Sequence, residues 1–171
     1  MSLPISEKAF LAFLSKAKGS TYAALEPSQR IEPVLAGSTQ YEFRQGALLY
    51  RDIYFGMAYF VGQETVYFSS DAIWGMSYAG GVSQEMPEGE MKKVYTFLRE
   101  ALRVIPPEKP IRGPESFKGE GYRYTNRLLG DFKRFSGVET ISHGELSVYQ
   151  LHYSGGLLGG DSKRKKNALR K

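Results

Sequence analysis

The chain has 171 residues, of which 42% are apolar, 13% aromatic and 24% charged, a globular mix that excludes intrinsic disorder and leaves room for one domain or two small interdependent halves. Lys and Arg outnumber Asp and Glu by 23 to 18, giving +5, but residues 161–171 hold six bases against one acid, so residues 1–160 are neutral. The absence of cysteine excludes disulfides, thiolate metal sites and cysteine nucleophiles, and with only His143 and His152 no His-rich metal site is expected.

At the amino end, Met1 to Lys8 shows no basic segment leading into a long apolar run, and no stretch approaches eighteen apolar residues. We therefore expect a cytoplasmic protein with no membrane partner. Ser6 is a suitable helix N-cap, and Phe10, Phe13, Leu14 and Ala17 recur at helical spacing until Gly19. Strand-like segments rich in Tyr, Phe, Val and Ile follow, with Arg44-Gln45-Gly46 and Ser69-Ser70-Asp71 as hairpin connections. A second helix carries Val94, Phe97, Leu98, Ala101 and Leu102, with Glu88 and Glu90 at its positive end and Pro106-Pro107 as a stop. Arg112-Gly113-Pro114 then forces an extended turn ahead of a second set of strands. Past Gly155, Gly156, Gly159 and Gly160 the basic tail reads as a solvated end; polyanion or nucleic-acid attraction through residues 163–171 would be weak, sequence-blind and salt-sensitive.

The chain resembles itself. Tyr59 to Val82 aligns with Arg134 to Leu157 at an offset of 75, with seven identities in 24 positions, among them Gly62/Gly137, Glu64/Glu139 and Tyr78/Tyr153; chance supplies about one or two. Upstream, Tyr50 pairs with Tyr124 and Asp52 with Asn126. The expected fold is α+β: a tandem, pseudo-twofold duplication of a helix followed by about four antiparallel strands. Residues 1–160 would form a single domain of two halves, about 5–84 and 85–158, followed by the tail at 161–171.

Side chains two apart on a strand share a face. Trp74, Met76 and Tyr78 form one stripe and Tyr149, Leu151 and Tyr153 another. One strand earlier, Glu64 falls in line with Phe60, Val66 and Phe68, and Glu139 with Phe135 and Ile141. A buried carboxylate needs hydrogen bonds or a cation, or a position at an opening. Either these glutamates are structural, hydrogen-bonded or turned outward by a bulge at Gly62 and Gly137, or they line a ligand cavity. Tyr50, Asp52 and Tyr54 share a face on the preceding strand, so pairing of that strand with the glutamate strand would bring Asp52 near Glu64 and give the first half the more acidic, Tyr-rich pocket. Arg112, in the crossing between the halves, is the candidate counter-charge.

No nucleophile elbow, phosphate-binding loop or zinc-binding helix occurs, and Gly119-Glu120-Gly121 is only a turn. Tyr50-Arg-Asp-Ile-Tyr54, Phe60-Val-Gly-Gln-Glu64, Ile73-Trp-Gly-Met-Ser-Tyr78, Arg112-Gly-Pro114, Gly130-Asp-Phe132 through Gly137-Val-Glu139, and Tyr153-Ser-Gly-Gly156 together resemble the bacterial family labelled domain of unknown function 5680, over about residues 8–158. Members stand alone or behind an N-terminal helix-turn-helix, which implies a regulatory, effector-sensing role. With a first helix near residue 6, the standalone form is expected here.

The reading that follows is a binding domain, more a sensor than an enzyme, for a small ligand or protein partner. Its cavity would be lined by Tyr50, Asp52, Glu64, Trp74, Tyr78, Arg112, Tyr124, Asn126, Glu139, Tyr149 and Tyr153, with no cofactor, metal or catalytic residue assigned. The alternatives are a carboxylate-dependent hydrolase using Glu64 and Glu139, which requires both to open into one cleft, and nucleic-acid association through the tail.

Overall fold

The structure, a computed structural model, describes residues 3–24 and 29–159, so the basic tail and the nucleic-acid contact assigned to it lie outside the described residues. Helix α1 (Glu7–Ser20) starts where Ser6 accepts a hydrogen bond from the Ala9 amide at 3.2 Å and buries Phe10, Phe13, Leu14 and Ala17. Lys18, one turn beyond Leu14, is buried on the same stripe. Helix α2 (Glu88–Arg103) buries Val94, Phe97, Leu98, Ala101 and Leu102.

The strands are β1 (Arg30–Ile31), β2 (Thr39–Gln45), β3 (Leu48–Gly56), β4 (Tyr59–Phe68) and β5 (Asp71–Gly81) before α2, then β6 (Ser116–Gly119), β7 (Tyr122–Asp131), β8 (Arg134–His143) and β9 (Leu146–Leu157). They form one antiparallel sheet in the order β1-β2-β3-β4-β5-β9-β8-β7-β6. This corrects the expected fold class. Strands take 49% of the structure and helices only 20%, so the molecule is one large nine-strand sheet carrying two short helices. It is not an α+β fold made by duplicating a helix-plus-strands unit, and internal duplication is not supported. The physical reason lies in β5 and β9, which pair from Trp74↔Leu157 to Gly81↔Gln150 and merge every strand into a single hydrogen-bonded ladder. The turn at Arg112-Gly113-Pro114 accordingly leads to an outer strand of that same sheet.

Glycines make the central pairing possible. A Cβ on Gly80 would lie 2.8 Å from Leu151 Cβ, and one on Gly155 would lie 2.8 Å from Met76 Cα. Both outermost strands are short, two residues in β1 and four in β6, which limits edge-to-edge association. Among the described residues no helix is long and apolar enough to cross a membrane.

One sheet face carries both helices. Trp74 stands 6.2 Å from Phe10 of α1 between ring centroids, and Tyr149 stands 6.1 Å from Tyr95 of α2. Trp74, Tyr124, Tyr149, Phe10 and Phe97 are among the largest fully buried side chains of this layer. The opposite face mixes Ser77, Ser136, Ser154 and the exposed His152 with exposed apolar side chains such as Tyr59, Val61 and Leu129.

Glu64 and Glu139 both point into the helix-covered face. The register runs unbroken through Gly62 and Gly137, and the irregularities fall later, at Val66/Tyr67 and Ile141/Ser142. The glycines therefore do not bulge; they make room for tyrosines. Gly62 pairs with Tyr78 and Gly137 with Tyr153, and a Cβ on either would run into the ring of its partner. Each ring thus lies across the glycine and delivers its hydroxyl to the next strand: Tyr78 donates to Asp52 Oδ1 at 2.6 Å and Tyr153 to Asn126 Oδ1 at 2.6 Å. Gly137→Ala is expected to cost about 1–3 kcal/mol, the usual range for overpacking a filled core. Thermal unfolding checks this, and an alanine variant as stable as the native chain would mean that the Tyr153 ring is not pinned there.

Candidate functional site

A cavity of about 250 Å³ opens between the sheet and the two helices. Its floor is Tyr50, Asp52 and Tyr54 of β3, Phe60 and Glu64 of β4, and Tyr78 of β5. One wall is the carboxyl end of α1 with the residues after it, from Lys18 to Ala23. The other is α2, through Met91, Tyr95, Leu98, Arg99 and Leu102, continued by Ile105, Ile111 and Arg112. Met57, at the β3–β4 turn, sits at the rim and is 77% exposed. The cavity forms because α1 and α2 cover different strands: α1 packs over β2 and β3, α2 over β6 and β7, and the gap between them falls over β3 to β5.

Charged groups collect at its inner end. Asp52 and Glu64 are directly opposite one another in the β3–β4 ladder and are 4% and 3% exposed. The Lys18 ammonium pairs with Glu64 Oε2 and also donates to the Ile111 carbonyl at 2.7 Å. Arg112 holds Glu139 bidentately, with Nε donating to Oε2 at 3.1 Å and Nη2 to Oε1, while its Nη1 lies 3.9 Å from Glu64 Oε1. Tyr124 donates to Glu139 Oε2 at 2.6 Å and Tyr149 to Oε1 at 2.8 Å. Glu139 is thus fully buried and fully partnered. The planar guanidinium fork explains why arginine stands at position 112: it closes two hydrogen bonds to one carboxylate and still faces a second.

Asp52 is differently placed. It accepts the Tyr78 hydroxyl, and no cation among the described residues comes within 4.0 Å of it. Burial, reinforced by the neighbouring Glu64, pushes its carboxyl up to about 7. Burial likewise lowers Lys18, against the pull of Glu64. Tyr50 and Tyr78 are pushed well above the ordinary phenol value by burial and by the carboxylates beside them. Arg112 is held well above its ordinary value by Glu139, which outweighs the opposing effect of burial.

Of the residues assigned from the sequence, Tyr50, Asp52, Glu64, Tyr78 and Arg112 come together around the cavity. Trp74, Tyr124, Asn126, Glu139, Tyr149 and Tyr153 do not line it. Trp74 is core, its indole N–H donating to the Phe132 carbonyl at 3.0 Å. Asn126 is locked by Tyr153 and by its own donation to the Gly113 carbonyl at 2.9 Å. The rings of Tyr124 and Tyr149 fill the space around Glu139, so the β7–β9 side is solid where the β3–β5 side is hollow. Glu64 and Glu139 consequently do not open into one cleft, which is the geometry a two-glutamate hydrolase needs.

Sequence reasoning missed Lys18, although its place on the Phe10/Leu14 helical stripe marks it as a buried base. It also missed the α2 wall, where Met91, Tyr95 and Arg99 flank the core stripe and read only as helix surface.

A family model described as domain of unknown function (DUF5680) matches residues 52–158. No curated protein and no solved structure matches the chain.

Proposed function

This chain belongs to the DUF5680 family, and from that premise we propose that it is a sensor-like domain whose work is to bind a small molecule in the cavity between α1, α2 and β3–β5. The observation that carries the reading is a hollow in the helix–sheet layer over β3 to β5, with Asp52 and a set of tyrosine rings facing it. An apolar concavity with a few convergent polar groups is the usual form of a small-molecule site, and a volume of about 250 Å³ suits a compact ligand. The inner ion pairs support rigidity, since Lys18 and Arg112 tie α1 and the 105–112 connection to the sheet and keep the floor preformed.

A thermal-shift screen of amines, carboxylates and neutral metabolites, run on the native chain and on Met91→Trp, tests the proposal. Met91 lines the wall without touching the ion pairs, so the indole is expected to occupy the cavity and leave the fold intact. At least one compound is expected to raise the melting temperature of the native chain, and the gain is expected to vanish in Met91→Trp. A screen with no hits, or hits indifferent to the substitution, would overturn it.

A further inference from the structure

We propose that the molecule taken into this cavity is an organic cation, a small amine or quaternary ammonium compound, with its charge against Asp52 and its apolar part among Tyr54, Phe60 and Tyr95. This rests on the small-ligand reading above and names its class.

Three carboxyl groups, Asp52, Glu64 and Glu139, share the inner layer with two bases, Lys18 and Arg112. Both bases are committed: Arg112 to Glu139 through two hydrogen bonds, Lys18 to Glu64 and the Ile111 carbonyl. Asp52 is the acid left over, and it lines the hollow. An anionic ligand would find both inner bases already committed and would have only Arg99, out on the part-exposed α2 wall, to pair with. A neutral ligand would leave the charge of Asp52 uncompensated.

Asn126 faces Glu139 across β7–β8 as Asp52 faces Glu64 across β3–β4, and each receives a tyrosine hydroxyl at 2.6 Å. At the solid place a neutral amide holds the tyrosine; at the hollow place a carboxylate stands. Anchoring Tyr78 therefore does not require the charge at 52, and a buried charge is costly to keep without a use.

The lining of the cavity is aromatic, through Tyr54, Phe60 and Tyr95. Aromatic faces attract cations while adding apolar contact, the combination that recognises ammonium ligands. A bare metal ion is ill served here, because rings and aliphatic side chains offer it no ligands, and among the described residues no three His, Cys, Asp or Glu side chains are grouped to hold one.

The inference carries a pH signature. The groups facing the cavity beside Asp52 are Tyr50 on its own strand, Glu64 on β4, Tyr78 on β5, Lys18 of α1, Arg112 of the connection, and Arg99 on the part-exposed α2 wall. Of these the carboxyl at 52 titrates near pH 7, so a bound cation takes the place of its proton. Affinity for a permanently charged ligand then falls as pH drops, roughly thirty-fold between about pH 8 and about pH 5.5 for a group titrating near 7.

The test is calorimetric titration with benzyltrimethylammonium and with neopentylbenzene, the same skeleton with carbon in place of the charged nitrogen. The native chain is expected to bind the charged probe at least about tenfold more tightly than the neutral one. Asp52→Asn is expected to lose that preference and the pH dependence while retaining the neutral probe. Met91→Trp is expected to lose both. Equal affinity for the two probes, abolished by Met91→Trp, would overturn the cation inference and leave the small-ligand reading standing. An Asp52→Asn variant that keeps the charged preference, or a native chain that binds neither probe, also overturns it. The broader screen decides the cavity separately.

Discussion

Arg112→Leu is expected to lower the unfolding free energy by about 3–5 kcal/mol, and the melting temperature by roughly 10 °C, because it strips the cation from a carboxylate that has no access to water. Glu139 is 0% exposed, and with Arg112 gone its partners are the hydroxyls of Tyr124 and Tyr149 alone. Two neutral hydroxyls do not offset the desolvation of a full charge. The same change removes one of the ties between the 105–112 connection and the sheet, along with the guanidinium packed 5.9 Å from the Tyr78 ring centroid. The pairing is tested by the double variant Arg112→Leu with Glu139→Leu. Removing both partners of a buried ion pair costs far less than removing one, so the double variant is expected to recover most of the loss. Urea unfolding of the two single variants and the double one gives the coupling directly. If Arg112→Leu costs under about 1 kcal/mol, in the range of an exposed pair, then Arg112 is not the group that makes a buried Glu139 tolerable.

That pairing shows what a chain can reveal before folding and what it cannot. Glu139 stands out because it sits in an alternating apolar run, and Arg112 because a buried acid demands a base. Both inferences use only local period and elementary electrostatics, and they locate the charged layer. The helices and hairpins are legible for the same reason, since Ser6, the Phe10/Leu14 stripe and the turns at 46–47 and 69–70 are local signals. The pairing of β5 with β9 is not local. It joins residues 69 to 83 positions apart in sequence through backbone hydrogen bonds that carry no side-chain signature, and it converts two imagined units into one sheet. Gly62 and Gly137 mislead for a related reason: a glycine beside a buried acid suggests a bulge, whereas its reason is a ring arriving from the next strand. The candidate site was half legible. Periodicity places Tyr50, Asp52, Glu64 and Tyr78 on one face, but it does not say which of two similar faces is filled; that depends on where α1 and α2 come to rest.

Asp52→Asn is expected to stabilise the ligand-free protein, increasingly so as pH rises. The Asp52 carboxyl has an ordinary value of 3.8, taken for the unfolded chain, and about 7 in the folded protein. A group whose pKa rises on folding binds its proton more tightly in the native state. Its contribution to stability is therefore fully present below about pH 4 and is lost as pH climbs through about 7. A rise of that size corresponds to at most about 4 kcal/mol, and the influence of Glu64 and Lys18 on the same carboxyl makes about 2–4 kcal/mol the expected range at about pH 8. Asparagine keeps the acceptor for Tyr78, as Asn126 does for Tyr153, and turns its NH₂ toward Glu64 across the ladder. It has no proton to lose, so its advantage over the native chain is expected to shrink as pH falls and to approach zero near about pH 4. Melting curves of the two proteins across this range give the result. Saturating benzyltrimethylammonium is then expected to narrow the gap at high pH by stabilising the native chain alone, as binding to a group kept unsatisfied for its ligand would do. If Asp52→Asn is no more stable than the native chain at about pH 8, some group in the protein already compensates Asp52, and the argument for a cationic ligand fails with this prediction.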